Sequence, residues 1–317
     1  MKVSIGIPMH NSAQWIRQAV ESCLSQSWPD VEIIVVDDGS TDDSLGQIED
    51  FGDRIKIIRQ NQKGSNFARN AALNEAQGEW IQFLDADDYL LPGKLQNQLS
   101  QSAASQADVI FSPVEILHCN EDGTESRSIY PKHNEQDLAL RWINWELSQT
   151  GTLLWRTKAL KEIGGWNEDY PCCQDNELCL RALKHSLKFH YVKSVDAVYR
   201  MWSSRTLSNR NRRKTIGQRT RLFREALAWL TESRQLKPIH QQAISTTCFR
   251  LARSIANHNL REGNLYFRSC KDDGLIQLGQ TANCSTSFRL TTQFFGFANA
   301  ERLASVFRFF RFQQPNG

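Results

Sequence analysis

The feature that most restricts this chain is an alternation. Over roughly the first hundred residues, apolar runs of strand length alternate four times with segments of helical spacing, joined by short connections. Val3 to Ile7 is a short apolar run that Pro8 ends. Trp15, Ile16, Ala19, Val20, Cys23 and Leu24 then recur at helical intervals between Ala13 and Ser25. Val31 to Val36 is continuously apolar and β-branched, as suits a strand covered on both faces. It leads into Asp37-Asp38-Gly39-Ser40-Thr41-Asp42, where Gly39 permits a tight turn and Ser40 to Asp42 can cap a helix starting near Asp43. Ile55 to Ile58 is a third strand, Lys63 to Asn66 a loop, Ala68 to Ala76 a helix, and Trp80 to Leu84 a fourth strand. Such alternation predicts an α/β fold: a mostly parallel central sheet with helices on both faces. Dinucleotide-binding folds share this layout. However, Ile7-Pro8-Met9-His10-Asn11 carries no GxGxxG, and the chain has no GxxxxGK[ST] loop.

The fourth strand runs straight into carboxylates, Asp85, Asp87 and Asp88. The C-terminal edge of an open α/β sheet is where ligands bind. Asp85 and Asp87 are two apart and point the same way on an extended backbone. Two convergent carboxylates repel unless hydrogen bonds or a cation offset the charge. A hard ion that also holds phosphate oxygens would do so. Spacing alone leaves an acidic surface turn equally open.

Beyond this edge the parallel pattern breaks. A helix is predicted from Pro92 to Ser102, with strands at Val109–Ser112 and Glu115–Cys119 and a turn at Asn120–Gly123. Residues 135–147 look helical, Leu153–Trp155 extended, Gly164–Asp169 loop, and Leu178–His185 helical. Short strands follow at Phe189–Val192 and Val195–Tyr199. From Ser203 the character changes. Arg205 to Lys237 holds ten basic residues against Glu225 and Glu232, with Leu222, Phe223, Ala226, Leu227 and Leu230 as an apolar stripe. Helical patterns continue over 241–258 and 262–280, and the tail from Phe294 to Phe312 is rich in Phe and Arg. Two readings stand: a helical appendage with a solvated basic face, or a surface that rests on anionic lipid.

Composition narrows the remaining classes. The 317 residues are 40% apolar with a formal charge of +3, too balanced to point to nucleic acid, and no nucleic-acid module is visible. No run of 18 apolar residues predicts a membrane span. The opening Met1–Asn11 meets polar residues too early for a signal peptide. The eight cysteines form no CxxC pair and read as reduced thiols, with no structural zinc.

Taken together, several motifs in order resemble family 2 glycosyltransferases of the GT-A fold, which are inverting and nucleotide-sugar dependent. They are Val3–Asn11; Val35-Val36-Asp37-Asp38-Gly39-Ser40-Thr41-Asp42; Gly64 with Ala68-Arg69-Asn70-Ala71-Ala72; Gly78–Asp88; and Gly164–Glu168 followed by Gln174-Asp175-Asn176-Glu177-Leu178. The resemblance covers roughly residues 1–205 and implies a GT-A domain there, with 1–110 binding nucleotide and 111–205 on the acceptor side. Residues 206–317 are left as a mainly helical, basic and aromatic C-terminal region. By resemblance, Pro8, His10, Asn11 and Asp38 hold base and ribose, and Arg69 lies near base and diphosphate. Asp85 faces the ribose, and Asp87 binds the Mn²⁺ or Mg²⁺ that bridges the donor's phosphates. Asp175 matches the catalytic base, and its place at a helix start predicts a lowered pKa. Asp88, Gln174, Arg200, Trp202 and Arg205 are further candidate phosphate or acceptor contacts.

Two positions depart from the usual pattern: Gln174 where Glu often precedes the base, and Trp202 where histidine is often found. No QxxRW motif or membrane helix implies a processive polymer synthase. The resemblance therefore implies single transfer, by default from a UDP-sugar (dTDP and GDP also occur in relatives), to a saccharide or lipid-linked acceptor. It implies a cytoplasmic protein, peripheral on the inner face of the membrane where the basic region touches it. The competing reading is a catalytically silent GT-A-shaped nucleotide-binding or scaffold protein. A nucleotidyltransferase is disfavoured, because Ile7–Asn11 is not the glycine-rich basic loop that class carries after its first strand.

Overall fold

The computed structural model describes residues 1–102, 106–120, 123–131, 137–147, 149–202, 212–282 and 284–312, with side chains except at 101, 102, 202, 212 and 306–312. The chain divides into two compact units, Met1–Thr215 and Ile216–Gly317.

The first unit is built on a seven-stranded sheet. Its central strands are β1 (Val3–Met9), β2 (Val31–Asp38), β3 (Lys56–Gln60) and β4 (Trp80–Phe83), all mutually parallel. Towards the other edge lie β9 (Leu154–Arg156), antiparallel to both neighbours, then β6 (Val109–Phe111) and β10 (Phe189–Tyr191). The apolar runs of β1, β2 and β4 are buried, as strands covered on both faces must be. Helix α1 (Ile16–Leu24) buries Ile16, Ala19, Val20 and Cys23, the face its spacing predicts. Helix α2 (Ser65–Glu75) lies close to β1. A Cβ on Gly6 would stand 3.0 Å from the Ala72 Cβ, so glycine there sets how near α2 can come.

The unit holds a second sheet of four strands. It joins β5 (Tyr89–Leu90), β7 (Val114–Cys119), β8 (Glu125–Tyr130) and β11 (Ala197–Trp202). Further helices of the unit are α3 (Lys94–Ser102), α4 (Leu138–Ile143), α5 (Thr157–Glu162) and α6 (Gln174–Lys184).

Several expectations are corrected. Strand β1 does not stop at Pro8 but runs to Met9. Its pairing with β4 ends at Gly6, so at Pro8 it has only the β2 neighbour, where a missing N–H is tolerated. The helix expected near Asp43 is instead a 3-10 helix, Gly46–Arg54, kinked at Gly52. Helix α2 starts at Ser65, three residues earlier than its apolar pattern, because Gly64 at φ 114° supplies the turn into it. Strands β5 and β8 carry too little apolar pattern to have been foreseen: five of the six β8 residues are exposed.

The second unit is helical. It contains all but the first turn of α7 (Arg212–Glu232), then α8 (Pro238–Ala256), α9 (Leu260–Asp272), α10 (Thr286–Phe295) and α11 (Phe297–Phe312). Phe249 is the centre of its core and meets Phe267, Phe288 and Phe297 edge-on at 5.7–6.4 Å, while Phe267 and Phe297 stack at 4.5 Å. Helix α10 was not foreseen. Among the described residues no helix is long and apolar enough to cross a membrane.

Candidate active site

Strands β1, β2 and β4 run the same way, so their C-terminal ends deliver His10, Asp38 and Asp85 to one edge. Strand β2 extends two residues past its apolar run and buries Asp37 and Asp38. Asp37 Oδ1 accepts from the Ser40 N–H (2.9 Å), and Gly39 makes the turn at φ +72°. A Cβ on Gly39 would stand 2.9 Å from the Gln62 nitrogen, so only glycine fits.

Asp38 is engaged by its own surroundings. Oδ1 accepts from Gln60 Nε2 (2.7 Å) and the Lys63 N–H (2.8 Å), and Oδ2 accepts from the Gly64 N–H (2.8 Å). The acid thereby fixes the loop that starts α2. Its Oδ2 retains acceptor capacity for one further donor. His10 Nδ1 lies 3.0 Å from the Asp38 carbonyl oxygen, while Nε2 faces the amide nitrogens of Gln62 (3.1 Å) and Asn11 (3.3 Å). These partners select the tautomer protonated on Nδ1. Asn11, at φ 48°, accepts on Oδ1 from the Thr41 N–H (2.8 Å) and ties the β1 and β2 ends together. Pro8 lies in β1 opposite Val36.

Helix α2 aims Arg69 at the β4 end. Buried to 4% exposure, it pairs with Asp85 Oδ1 (2.6 Å) and donates to Gln174 Oε1 (2.8 Å) and Asn66 Oδ1 (3.2 Å). Its guanidinium lies 4.5 Å from the Trp166 ring centre, and Trp166 in turn meets Phe83. Gln174 Nε2 donates to Ser65 Oγ (2.9 Å) and Tyr170 O (3.2 Å). A neutral amide thus stands against Arg69, whose one carboxylate partner among the described residues is Asp85.

The acids after β4 differ sharply. Asp85 is half-buried and paired. Burial, with Asp85 beside it, pushes the Asp87 carboxyl up to about 6, and no basic side chain pairs with it among the described residues. Asp88 is buried and accepts from the Arg200 N–H (2.8 Å); burial first, then Asp87 and Asp85, pushes its pKa well up. It anchors the turn to β11. Arg200 lies between Trp15 (4.6 Å) and Tyr89 (4.8 Å) and donates to the Asp87 carbonyl oxygen and to Gln18 Oε1. Its guanidinium braces the acidic turn.

Asp175 lies in the first turn of α6, after Cys173 at φ 57°. Its Oδ1 accepts from Thr150 Oγ1 (2.7 Å). The lowered pKa expected at a helix start is not found. Burial, reinforced by the charge of Asp85, pushes the carboxyl up to about 6, although Arg69 and Thr150 oppose the shift. Desolvation outweighs the helix dipole here. Trp202 ends β11 opposite Cys119; its side chain, and all of Arg205, lie outside the described residues. Thr150 was not a candidate. Thr150-Gly151-Thr152 matches no motif, and only its 3-10 turn beside β9 brings it to Asp175.

A parallel α/β sheet whose C-terminal edge gathers an acidic turn, a buried arginine and a separate carboxylate on a helix start is the layout of a nucleotide-sugar-type transferase. The family model described as "Glycosyl transferase family 2" matches residues 4–164, and the chain belongs to that family. It is 33% identical over 214 residues to the UDP-Glc:alpha-D-GlcNAc-diphosphoundecaprenol beta-1,3-glucosyltransferase WfaP of Escherichia coli, covering 66% of this chain and 80% of that one. An uncharacterized glycosyltransferase of Rickettsia felis is 29% identical over 248 residues. This chain spans about two fifths of that relative's length and of its Rickettsia conorii counterpart's (40% and 39%). The solved structure of Staphylococcus aureus TarS 1–349 in complex with UDP-GlcNAc superposes with a TM-score of 0.69 at 19% identity, over 97% of this chain and 92% of that one. That likeness is one of fold.

Proposed function

We propose that the chain is an inverting, metal-dependent glycosyltransferase. It moves one sugar from a nucleotide-diphosphate donor, UDP-linked by preference, to a hydroxyl of a saccharide or lipid-linked acceptor. The observation that carries this reading is the continuous set Asp87, Asp85, Arg69, Gln174 and Asp175, in which two carboxyls near pKa 6 flank a buried arginine. The donor named for WfaP is a UDP-sugar and its named acceptor is a GlcNAc carried on diphosphoundecaprenol, which supports the same substrate classes here.

Asp85 and Asp87 fit a hard divalent cation. Their oxygens are the right donors, and burial beside Asp85 disfavours the charge of Asp87, which forms no ion pair among the described residues although Arg200 and Arg69 partly offset the shift. No group of three or more His, Cys, Asp or Glu side chains suited to a metal occurs among the described residues; Asp85 and Asp87 would hold the ion together with oxygens from the donor or water. When bound, the ion offsets charge that builds on the departing diphosphate. Asp38, His10 and Asn11 hold base and ribose through the rigid β1–β2 edge. Arg69 fixes Asp85 and, through Gln174, the start of α6. Asp175 takes the proton of the acceptor hydroxyl, whose oxygen then attacks the anomeric carbon from the face opposite the diphosphate. A carboxyl near pKa 6 is a stronger base than an ordinary aspartate yet ionised at neutral pH.

Calorimetric titration with UDP, dTDP and GDP, each with and without Mn²⁺, tests the donor half. Metal-dependent binding of one nucleotide, lost in Asp87→Ala, is expected. Binding of none of them would favour a silent scaffold.

A further inference from the structure

The last two helices use phenylalanine in two opposite ways. Phe288 and Phe297 complete the aromatic core around Phe249. Phe294 and Phe295 point away from it, 72% and 68% exposed, the highest values among the exposed large apolar side chains of the described residues. They end α10 just before Gly296, whose φ of +82° turns the chain into α11. Leu290 lies one turn before Phe294 and is exposed too, so an apolar stripe leads to this corner. On α11, Leu303 is exposed beside Arg302.

The exposed charge of the segment that forms the corner has one sign. Between Thr281 and Gly317 the basic residues are Arg289, Arg302, Arg308 and Arg311, and the sole acidic side chain is Glu301. Glu301 is buried and bonded to Arg253, so no acidic side chain of this segment reaches solvent. An apolar corner on a segment whose exposed charges are arginines matches the boundary between headgroups and acyl chains, where rings enter the hydrocarbon edge and guanidiniums meet phosphate. A second copy of the chain is a poorer match, because a two-fold contact through the corner would set arginine against arginine.

We propose that the Leu290–Phe294–Phe295 corner, with Arg289 and Arg302, is a docking surface for an anionic lipid bilayer. The inference goes beyond sugar transfer and does not depend on it, although it would bring the protein to an acceptor anchored in a bilayer.

Sedimentation of the full chain with phosphatidylcholine vesicles, with and without phosphatidylglycerol, tests it. The chain binds the anionic vesicles, and binding weakens as salt rises. Phe294→Ser with Phe295→Ser lowers that binding roughly tenfold or more at an unchanged melting temperature. Phe294→Trp with Phe295→Trp keeps it. Arg289→Gln with Arg302→Gln removes most of the salt dependence. Failure of the wild type to bind anionic vesicles, or equal binding by the serine variant, overturns the proposal. So does a serine variant that binds lipid normally but turns a wild-type dimer into a monomer, which would make the corner a contact between copies.

Discussion

Asp175 sets the pH at which the proposed chemistry can run. With its carboxyl near 6, the base is protonated and idle in mild acid and ionised above neutrality. The pH profile of kcat/KM should therefore rise through a midpoint near 6 and level off, about two units above an ordinary aspartate. Thr150 moves that midpoint. Its hydroxyl stabilises the ionised form, so Thr150→Val should raise the acid limb by about one pH unit, while Thr150→Ser keeps the bond and the wild-type profile. A profile unmoved by Thr150→Val would show that the hydroxyl serves structure alone. At this scale the sequence was legible wherever a motif carried the residue. Spacing and resemblance point to Asp38, Arg69, Asp85, Asp87 and Asp175, and Arg69 bonds Asp85 directly and reaches the start of α6 through Gln174. What sequence could not supply was environment. Thr150 meets Asp175 across 25 positions, and the direction of the Asp175 shift depends on burial that no local pattern encodes.

Elements explain how the site is held. The acidic turn after β4 is clamped from the second sheet, because Asp88 takes the Arg200 N–H and Arg200 takes the Asp87 carbonyl. Strand β5 is two residues long, and its pairing with β11 carries this clamp. A strand so short leaves no periodic signal, which is why the second sheet was only half foreseen. Helix α3 shows a different tension. Lys94 is fully buried, donates to Gln98 Oε1 (2.6 Å), and burial pushes its pKa down to about 7. The sign follows directly. Between about 7 and the ordinary lysine range near 10.4, the unfolded chain binds more protons than the folded one, so stability rises with pH across that window. Below it, both states are charged and the folded state carries the whole burden of the buried ammonium. Lys94→Met should therefore raise the melting temperature by several degrees at pH 6 and by much less at pH 10. An equal rise at both values would mean that packing, rather than charge, sets the effect.

For the whole molecule, the first hundred or so residues could be read in order because each buried strand is a plain apolar run, and parallel connections follow short rules. Strand β9, inserted antiparallel between β4 and β6, broke that pattern and could not be placed from sequence. The helical character after Ser203 is legible from the stripe on α7, and the Phe- and Arg-rich tail leaves a lipid surface open, but which phenylalanines face the core is not legible. Phe297 packs at the core while Phe295, two positions earlier, stands in solvent. Only three dimensions separate them. The central claim is that one site binds a sugar nucleotide at the β1–β2–β4 edge and uses Asp175 solely on the acceptor. Asp175→Asn tests it most directly, with donor binding followed by calorimetry on the nucleotide the wild type takes up and nucleotide release followed under turnover conditions. The account predicts donor affinity within about twofold of wild type and turnover lowered by roughly a hundredfold or more. Near wild-type turnover by Asp175→Asn would contradict it.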